Sequence, residues 1–325
     1  MNFFVFFILF CGYFFYMNPN SFSLKNLRIA VFMGGPGAEA QVSRWSGEAV
    51  AKALREGGAD VVICDIQGTK IEVPENVDIV FDLIHGTFGE DGTLQAILEE
   101  YGVVYTGAGV EGSRLAFNKI LSKKRFLEQG IPTASFEILK HGERPKMPVP
   151  YVIKTPCGGS TIGVHIVKEN NEAAITAALE DCFKYGDTVL VEEFLPGREL
   201  TVGILGNDVL PIIEIKVQEG FYDYKNKYTP GRSEHLIPAP LDMALTKKIQ
   251  EIALAAHRAL GLEVYSRVDM ILGFDGKISV LEANTLPGMT QTSLLPDAAA
   301  VFGLDFTALC ARIVELSLKR LKAKG

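Results

Sequence analysis

The stretch Ser266–Asn284, "SRVDMILGFDGKISVLEAN", constrains the fold of this chain more than any other. Two apolar runs flank Asp275-Gly276, a dipeptide that favours the tight turn of an antiparallel hairpin. With Asp275-Gly276 as the turn, Phe274 faces Lys277, Asp269 lies opposite Glu282, and Arg267 lies opposite Asn284. Alternation then puts Arg267, Asp269, Glu282 and Asn284 on one face, and Val268, Met270, Leu272, Leu281 and Ala283 on the other. A four-residue loop would keep these faces, whereas a three-residue loop would break the register.

Like charges directly opposite one another destabilise a sheet, so Asp269 facing Glu282 needs a physical reason. Two carboxylates and an amide oxygen are hard ligands, the set that magnesium takes together with phosphate oxygens. A bound cation turns the repulsion into attraction. The plain alternative is a solvated face whose charges happen to align. Ile278 and Val280, read on the same face, argue for burial and against it. Pro287-Gly288 then turns a corner that frees backbone N–H groups beside the metal. The expectation is a metal shelf made of Asp269, Glu282 and Asn284.

Upstream, short β-rich runs alternate with helical periods from Lys25 onward. "LRIAVFMGG", "ADVVICDI" and "VDIVFDLIHG" read as strands, and "EAQVSRWSGEAVAKALREGG" as a helix closed by Gly57-Gly58. After "GEDG", Leu94, Ile97, Leu98 and Tyr101 fall on one helical face, which Gly102 can end. Strands alternating with helices imply a parallel sheet covered on both sides, with ligands at the loops after the strands. "GGPGAE" and "HGTFGEDG" fit that position. Beyond about residue 118 the pattern changes. "YVIKTP" and "TVLVEEFL" are strands, and "ELTVGILGNDVLPIIEIKV" reads as two strands about a Gly-Asn turn. "GFYDYKNKYTPGRSEH" has no period and reads as a long functional loop. A last helix, Phe306 to Leu321, carries Leu309, Ile313, Leu316 and Leu321, with basic residues at its C-terminal end.

Composition narrows the function classes. The 325 residues are 48% hydrophobic and 22% charged, enough for two or three domains with a large core. A formal charge of −7 argues against a nucleic-acid binder held by a basic face. The five cysteines (Cys11, Cys64, Cys157, Cys182, Cys310) form no C-x-x-C pair, which points to a reducing, cytoplasmic setting without a zinc site or disulfide framework. The N-terminal "MNFFVFFILFCGYFFYM" holds seven of the 20 phenylalanines. It falls short of the roughly 20 apolar residues of a bilayer span. It also lacks the leading charge and cleavage site of a secretory signal. Three readings stay open: a start site set upstream of Met17, a membrane anchor, and a signal.

"KTPCGGSTIGV" follows a strand, and its paired glycines and hydroxyls let backbone N–H groups approach phosphate oxygens. It is not a P-loop, because no Lys-Ser/Thr ends it. Lys154 before it, and Lys119 in "FNK", are candidate phosphate-binding cations, and Cys157 reads as a bystander thiol.

Taken in order, "GGPGAEAQVS", "HGTFGEDGTLQ", "YTGAGVEGSRLAFNK", "KTPCGGSTIGV", "VEEFLPGRELTVGILG", "FYDYKNKY", "SRVDM" and "LEANTLPGMTQTSLLP" resemble the D-alanine–D-alanine ligases of the ATP-grasp superfamily. Only residues up to about Asn26 fall outside the resemblance. It implies an α/β and α+β multidomain chain, with an N-terminal parallel α/β domain followed by an ATP-grasp fold. The expected division is an apolar extension over 1–24, a substrate-binding domain over 25–118, a central domain over 119–200 and a C-terminal domain over 201–325.

The resemblance also implies roles. Lys119 and Lys154 would bind nucleotide phosphates under the loop around Ser160, Glu192 would hold adenine, and Glu199 the ribose. Asp269, Glu282 and Asn284 would bind two magnesium ions, or manganese. Glu39 would anchor the first substrate's ammonium, with Ser160 and Tyr228 in hydrogen-bond contact and His85 nearby. Lys227 and Ser293 would receive the second substrate's carboxylate. Arg267 and the Gly288 N–H would stabilise the oxyanion. The implied reaction joins two D-alanines through an acyl phosphate, for peptidoglycan precursors, with a homodimer as the family expectation. Tyr228 in its "KY" context resembles the dipeptide-forming enzymes rather than those that use D-lactate. Two departures stand out: Glu193 where some relatives carry lysine, and Thr161-Ile162 in place of a common Ser-Val. Rival readings are another ATP-grasp carboxylate–amine ligase, a nucleotide-binding regulator without turnover, and a membrane-anchored structural protein.

Overall fold

A computed structural model of the chain describes residues 22–159, 163–217 and 233–322. Strands β1 (Arg28–Gly34), β2 (Asp60–Ile66) and β3 (Ile79–Asp82) form a parallel sheet in the order β2-β1-β3. Alternation along β1 feeds two cores. Ile29 and Val31 pack with Val50 and Leu54 of the helix Ala40–Glu56, while Ala30 and Phe32 pack with Leu94 and Leu98 of the helix Thr93–Glu100. The sheet is thus covered on both faces, as the strand–helix alternation implies. Tyr101, at the C-terminal end of that helix, is 53% exposed and does not join the apolar face expected of it.

A second, antiparallel sheet holds β4 (Phe136–Lys140), β5 (Tyr151–Lys154), β6 (Val164–Val167) and β7 (Thr188–Glu193), in the order β4-β7-β5-β6. Its core is separate: Leu139, Ile153, Val189 and Val191 pack on Ile175 and Leu179 of the helix Glu172–Cys182.

The third sheet contains β8 (Gly197–Leu205), β9 (Asp208–Val209), β10 (Ile213–Val217), β11 (Ser233–Leu236), β12 (Tyr265–Gly273) and β13 (Ile278–Asn284), in the order β11-β10-β8-β12-β13, with β9 on β8. Gly206-Asn207 makes the expected turn, but the returning strand is in two pieces, β9 and β10, separated by Leu210-Pro211-Ile212. Pro211 cannot donate to a ladder, which accounts for the break. Ser233, Glu234 and His235, expected in the long loop, begin β11 instead, and the loop's earlier residues lie outside the described ones.

The hairpin β12–β13 corrects the expected turn. Gly273 N–H donates to the Lys277 carbonyl, so the loop is the three-residue Phe274–Gly276, and Leu272, Met270 face Ile278, Val280. Leu281 then bulges out, and beyond it Asp269 lies opposite Glu282 and Arg267 opposite Asn284. Ile278 and Val280 therefore face the core with Val268, Met270 and Leu272, and not the carboxylate face. Leu281, expected in that core, is only half-buried.

The first and third sheets share one core. Ile29, Val31, Phe81 and Leu83 join Leu205, Tyr265, Leu286, Leu309 and Ile313 in a single cluster. The last helix, Phe306–Lys322, lies against this junction, with Leu309 and Ile313 fully buried. Among the described residues no helix is long and apolar enough to cross a membrane.

Candidate active site

Segments attached to all three sheets meet in one cleft. Glu39 precedes the helix Ala40–Glu56, and His85 follows β3. Arg267 comes from β12, Glu282 and Asn284 from β13, and Gly288 and Ser293 from the turn before the helix Leu294–Phe302. These residues line the cleft together with Gly159 of the glycine-rich loop. Two glycines let that loop and the His85 loop close on Glu39. A Cβ on Gly159 would lie 2.9 Å from Glu39 Oε2, and one on Gly86, at φ +75°, would lie 3.0 Å from it. A side chain at either position would displace the carboxylate.

Acidic side chains fold the "HGTFGEDG" loop. Glu90 Oε2 accepts the Gly86 N–H at 3.0 Å, and Asp91 accepts those of Phe88 and Thr93, each at 2.9 Å. His85 is thereby buried with Nδ1 4.0 Å from Glu90 Oε1. Burial works to lower the pKa of His85, but Glu90, Glu39 and Asp82 together outweigh it and raise it. Its Nε2 is buried with no hydrogen-bond partner among the described residues. Beneath it, burial pushes Asp82 up to about 8, against the opposing effects of the Ile84 N–H and His85.

Asp269 is held on every side. Arg267 donates to it twice, from Nε at 2.9 Å and from Nη2 at 2.8 Å, and Thr201 and Asn284 Nδ2 (2.9 Å) donate to the same carboxylate. Across the ladder, Glu282 Oε2 lies 3.1 Å from Lys119 Nζ, which also donates to the Gly158 carbonyl at 2.8 Å. The facing carboxylates are thus each matched with a cation, which relieves their repulsion. For Lys119, burial lowers the pKa but the charge of Glu282 prevails and raises it.

Glu192 on β7 is buried between Lys154 of β5 and Lys123, whose Nζ is 2.8 Å away. Burial tends to raise its pKa, and the two ammonium groups, Lys154 first, bring it below the ordinary value. Glu199 pairs with Ile271 across β8 and β12, which puts it on the sheet face of Asp269 and Arg267. Ser160, Lys227 and Tyr228 lie outside the described residues.

The "D-ala D-ala ligase C-terminus" family matches residues 124–315, and the "D-ala D-ala ligase N-terminus" family matches residues 67–108. The chain is 44% identical over 297 residues to the D-alanine–D-alanine ligase of Methylacidiphilum infernorum, covering 91% of this chain and 97% of that one. The chain belongs to the D-alanine–D-alanine ligase family. The ligase of Geobacter sulfurreducens is 42% identical over 311 residues, covering 93% and 98% of the two chains. The ligase of Bacillus anthracis, solved in complex with ATP, superposes with a TM-score of 0.80 at 32% identity over 92% of this chain and all of that one. The three-sheet architecture is accordingly that of an ATP-grasp ligase, an enzyme that forms a carbon–nitrogen bond.

Two residues that contact the predicted ones escape a reading of the sequence alone. Lys123, fully buried, follows Lys119 by one helical turn, and that i,i+4 spacing is the signal that could have found it. Glu90 stands in the quoted "GEDG", but its contact with His85 depends on the loop's fold.

Proposed function

We propose that this cleft joins two D-alanines into D-alanyl-D-alanine, driven by one ATP. The observation that carries the reading is the meeting of Glu39 and His85 with Arg267, Glu282, Gly288 and Ser293 in one cleft of a ligase-family chain. The first substrate's carboxylate oxygen attacks the γ-phosphorus, forming a D-alanyl phosphate and releasing ADP. The second substrate's amine, having lost a proton, attacks the acyl carbon. The tetrahedral intermediate then expels inorganic phosphate, leaving the peptide bond.

Each side chain takes a share of this chemistry. Glu39, closed in by Gly86 and Gly159, receives the first ammonium, and Ser160 and Tyr228 complete that contact. His85 lies beside the same substrate. Arg267, fixed by its two bonds to Asp269, and the Gly288 N–H offset the negative charge that grows on the acyl oxygen. Lys119 and Lys154 hold nucleotide phosphates, Glu192 the adenine and Glu199 the ribose. Ser293 and Lys227 take the second carboxylate. Ser293 does not cap its own helix; its Oγ instead accepts the Thr290 N–H at 3.0 Å, so the Leu294 and Leu295 N–H groups, the two donors that a first turn with Pro296 in third place can offer, keep their capacity for an anion.

Divalent magnesium fits the chemistry of the donor set on β12 and β13, and to meet an ion Asp269 would exchange one of its four present donors for it. The candidate ligands of Asp269, Glu282 and Asn284 are all oxygens, and Asn284 turns its Nδ2 to Asp269, leaving its carbonyl oxygen for a cation. ATP phosphate oxygens would supply further ligands of the same hard kind. When bound, the ions neutralise charge on the transferring phosphoryl group. The division of the chain at residues 118 and 200, a cytoplasmic location and a homodimer belong to the same proposal.

The test is phosphate release and product mass with ATP and magnesium, comparing D-alanine, L-alanine, and D-alanine plus D-lactate. Release with D-alanine alone and a D-alanyl-D-alanine product is the expected result. A folded, ATP-binding protein that releases no phosphate with D-alanine would overturn the substrate assignment.

A further inference from the structure

Asp297 is an unexpected neighbour for a site that takes a carboxylate. It is the acidic residue in the first turn of the helix Leu294–Phe302 and follows Ser293 by four positions, on the same helical side. A negative charge there competes with an incoming anion for the field of the helix N-terminus. His235 answers it from another element. Pairing of β10 with β11 sets Ile215 against His235, and the imidazole reaches across to place Nδ1 3.1 Å from Asp297 Oδ2. A carboxylate can only accept, so Nδ1 carries the proton and donates it. The contact is partly sheltered, with the two side chains 19% and 31% exposed. His235 Nε2 is buried without a hydrogen-bond partner among the described residues.

We propose that His235 is a positioning residue for the second substrate: by engaging Asp297 it offsets the negative charge in the first turn, leaving the Ser293 end of the helix to the substrate's carboxylate. This rests on the reading that Ser293 receives that carboxylate. Nothing reacts at His235, so its effect belongs in acceptor binding and not in the phosphoryl-transfer step.

The experiment measures D-alanine-dependent phosphate release by the full chain, resolving the KM of the second D-alanine from that of ATP and from kcat. His235→Ala is expected to raise the second-substrate KM about fivefold, with kcat and the ATP KM little changed. His235→Asn, which can keep a donor near the Nδ1 position, is expected to stay within about twofold of the parent. The decisive variant is His235→Ala combined with Asp297→Asn, which removes the charge that His235 is there to offset and should restore the KM. A double variant as impaired as His235→Ala, or an Asp297→Asn variant with a raised second-substrate KM, overturns the proposal. If His235→Ala fails to fold, His235→Phe, which keeps the ring and removes the donor, takes its place both alone and combined with Asp297→Asn. A parent chain that shows no D-alanine-dependent release would sink the ligase reading and this inference together. A working parent whose variants fail this pattern would sink only the inference.

Discussion

At the scale of single residues, the site is a set of charges that hold one another. Asp269 and Glu282 face each other because Arg267 and Lys119 stand beside them. We expect Glu282→Gln to lower D-alanine-dependent phosphate release by ~100-fold or more while the thermal unfolding profile stays cooperative. Asp269→Asn should do the same; near-parent turnover in either would overturn the proposed metal site. Asp82 gives a prediction of another kind. Its folded pKa of about 8 lies far above the ordinary carboxyl value, because burial disfavours the ionised form. Between about pH 4 and pH 8 the folded chain therefore holds a proton that the unfolded chain has lost. Stability from this group falls as pH rises, by about 1.4 kcal/mol per unit at most. Denaturant titrations at pH 5 and pH 7.5 should show a steeper loss in the parent than in Asp82→Asn. Equal slopes would mean that Asp82 is ionised in the folded protein.

At the scale of elements, the hairpin shows what a sequence can and cannot tell. The pairing of Asp269 with Glu282 is legible because a two-residue turn, and a three-residue loop followed by a bulge, span the same number of residues between them. Spacing therefore finds the partner under either geometry. The faces nearer the turn are not legible, since only the position of the bulge decides where Ile278 and Val280 point. Ile278→Ala should accordingly cost about 2–4 kcal/mol of stability with turnover per folded molecule kept. A loss of activity without a loss of stability would return Ile278 to the site face. Helices and strands of the first hundred residues are legible from periodicity alone, and the parallel sheet follows from their alternation. The roles of Lys123 and Glu90 are not, because each depends on a contact between separate segments.

At the scale of the whole molecule, Arg320 ties the last helix to the N-terminal sheet. Its guanidinium donates to the carbonyls of Gly107 and Tyr105, lies 4.5 Å from the Tyr105 ring centre and 3.5 Å from Glu263. Removing it would leave two carbonyls without this donor, so Arg320→Ala should lower stability by about 2–4 kcal/mol, read from the denaturant midpoint at constant m-value.

The core shared by the first and third sheets bears on what would happen to a broken chain. Residues 29–83 and 205–314 contribute to the same apolar cluster, while the sheet β4–β7 packs around its own. A single proteolytic cut at the exposed turn near Gly142 would separate the backbone without separating that cluster. The two fragments should elute together under native conditions and apart in denaturant. In that sense the chain is a self-complementing pair, its beginning and end each serving as the other's missing half.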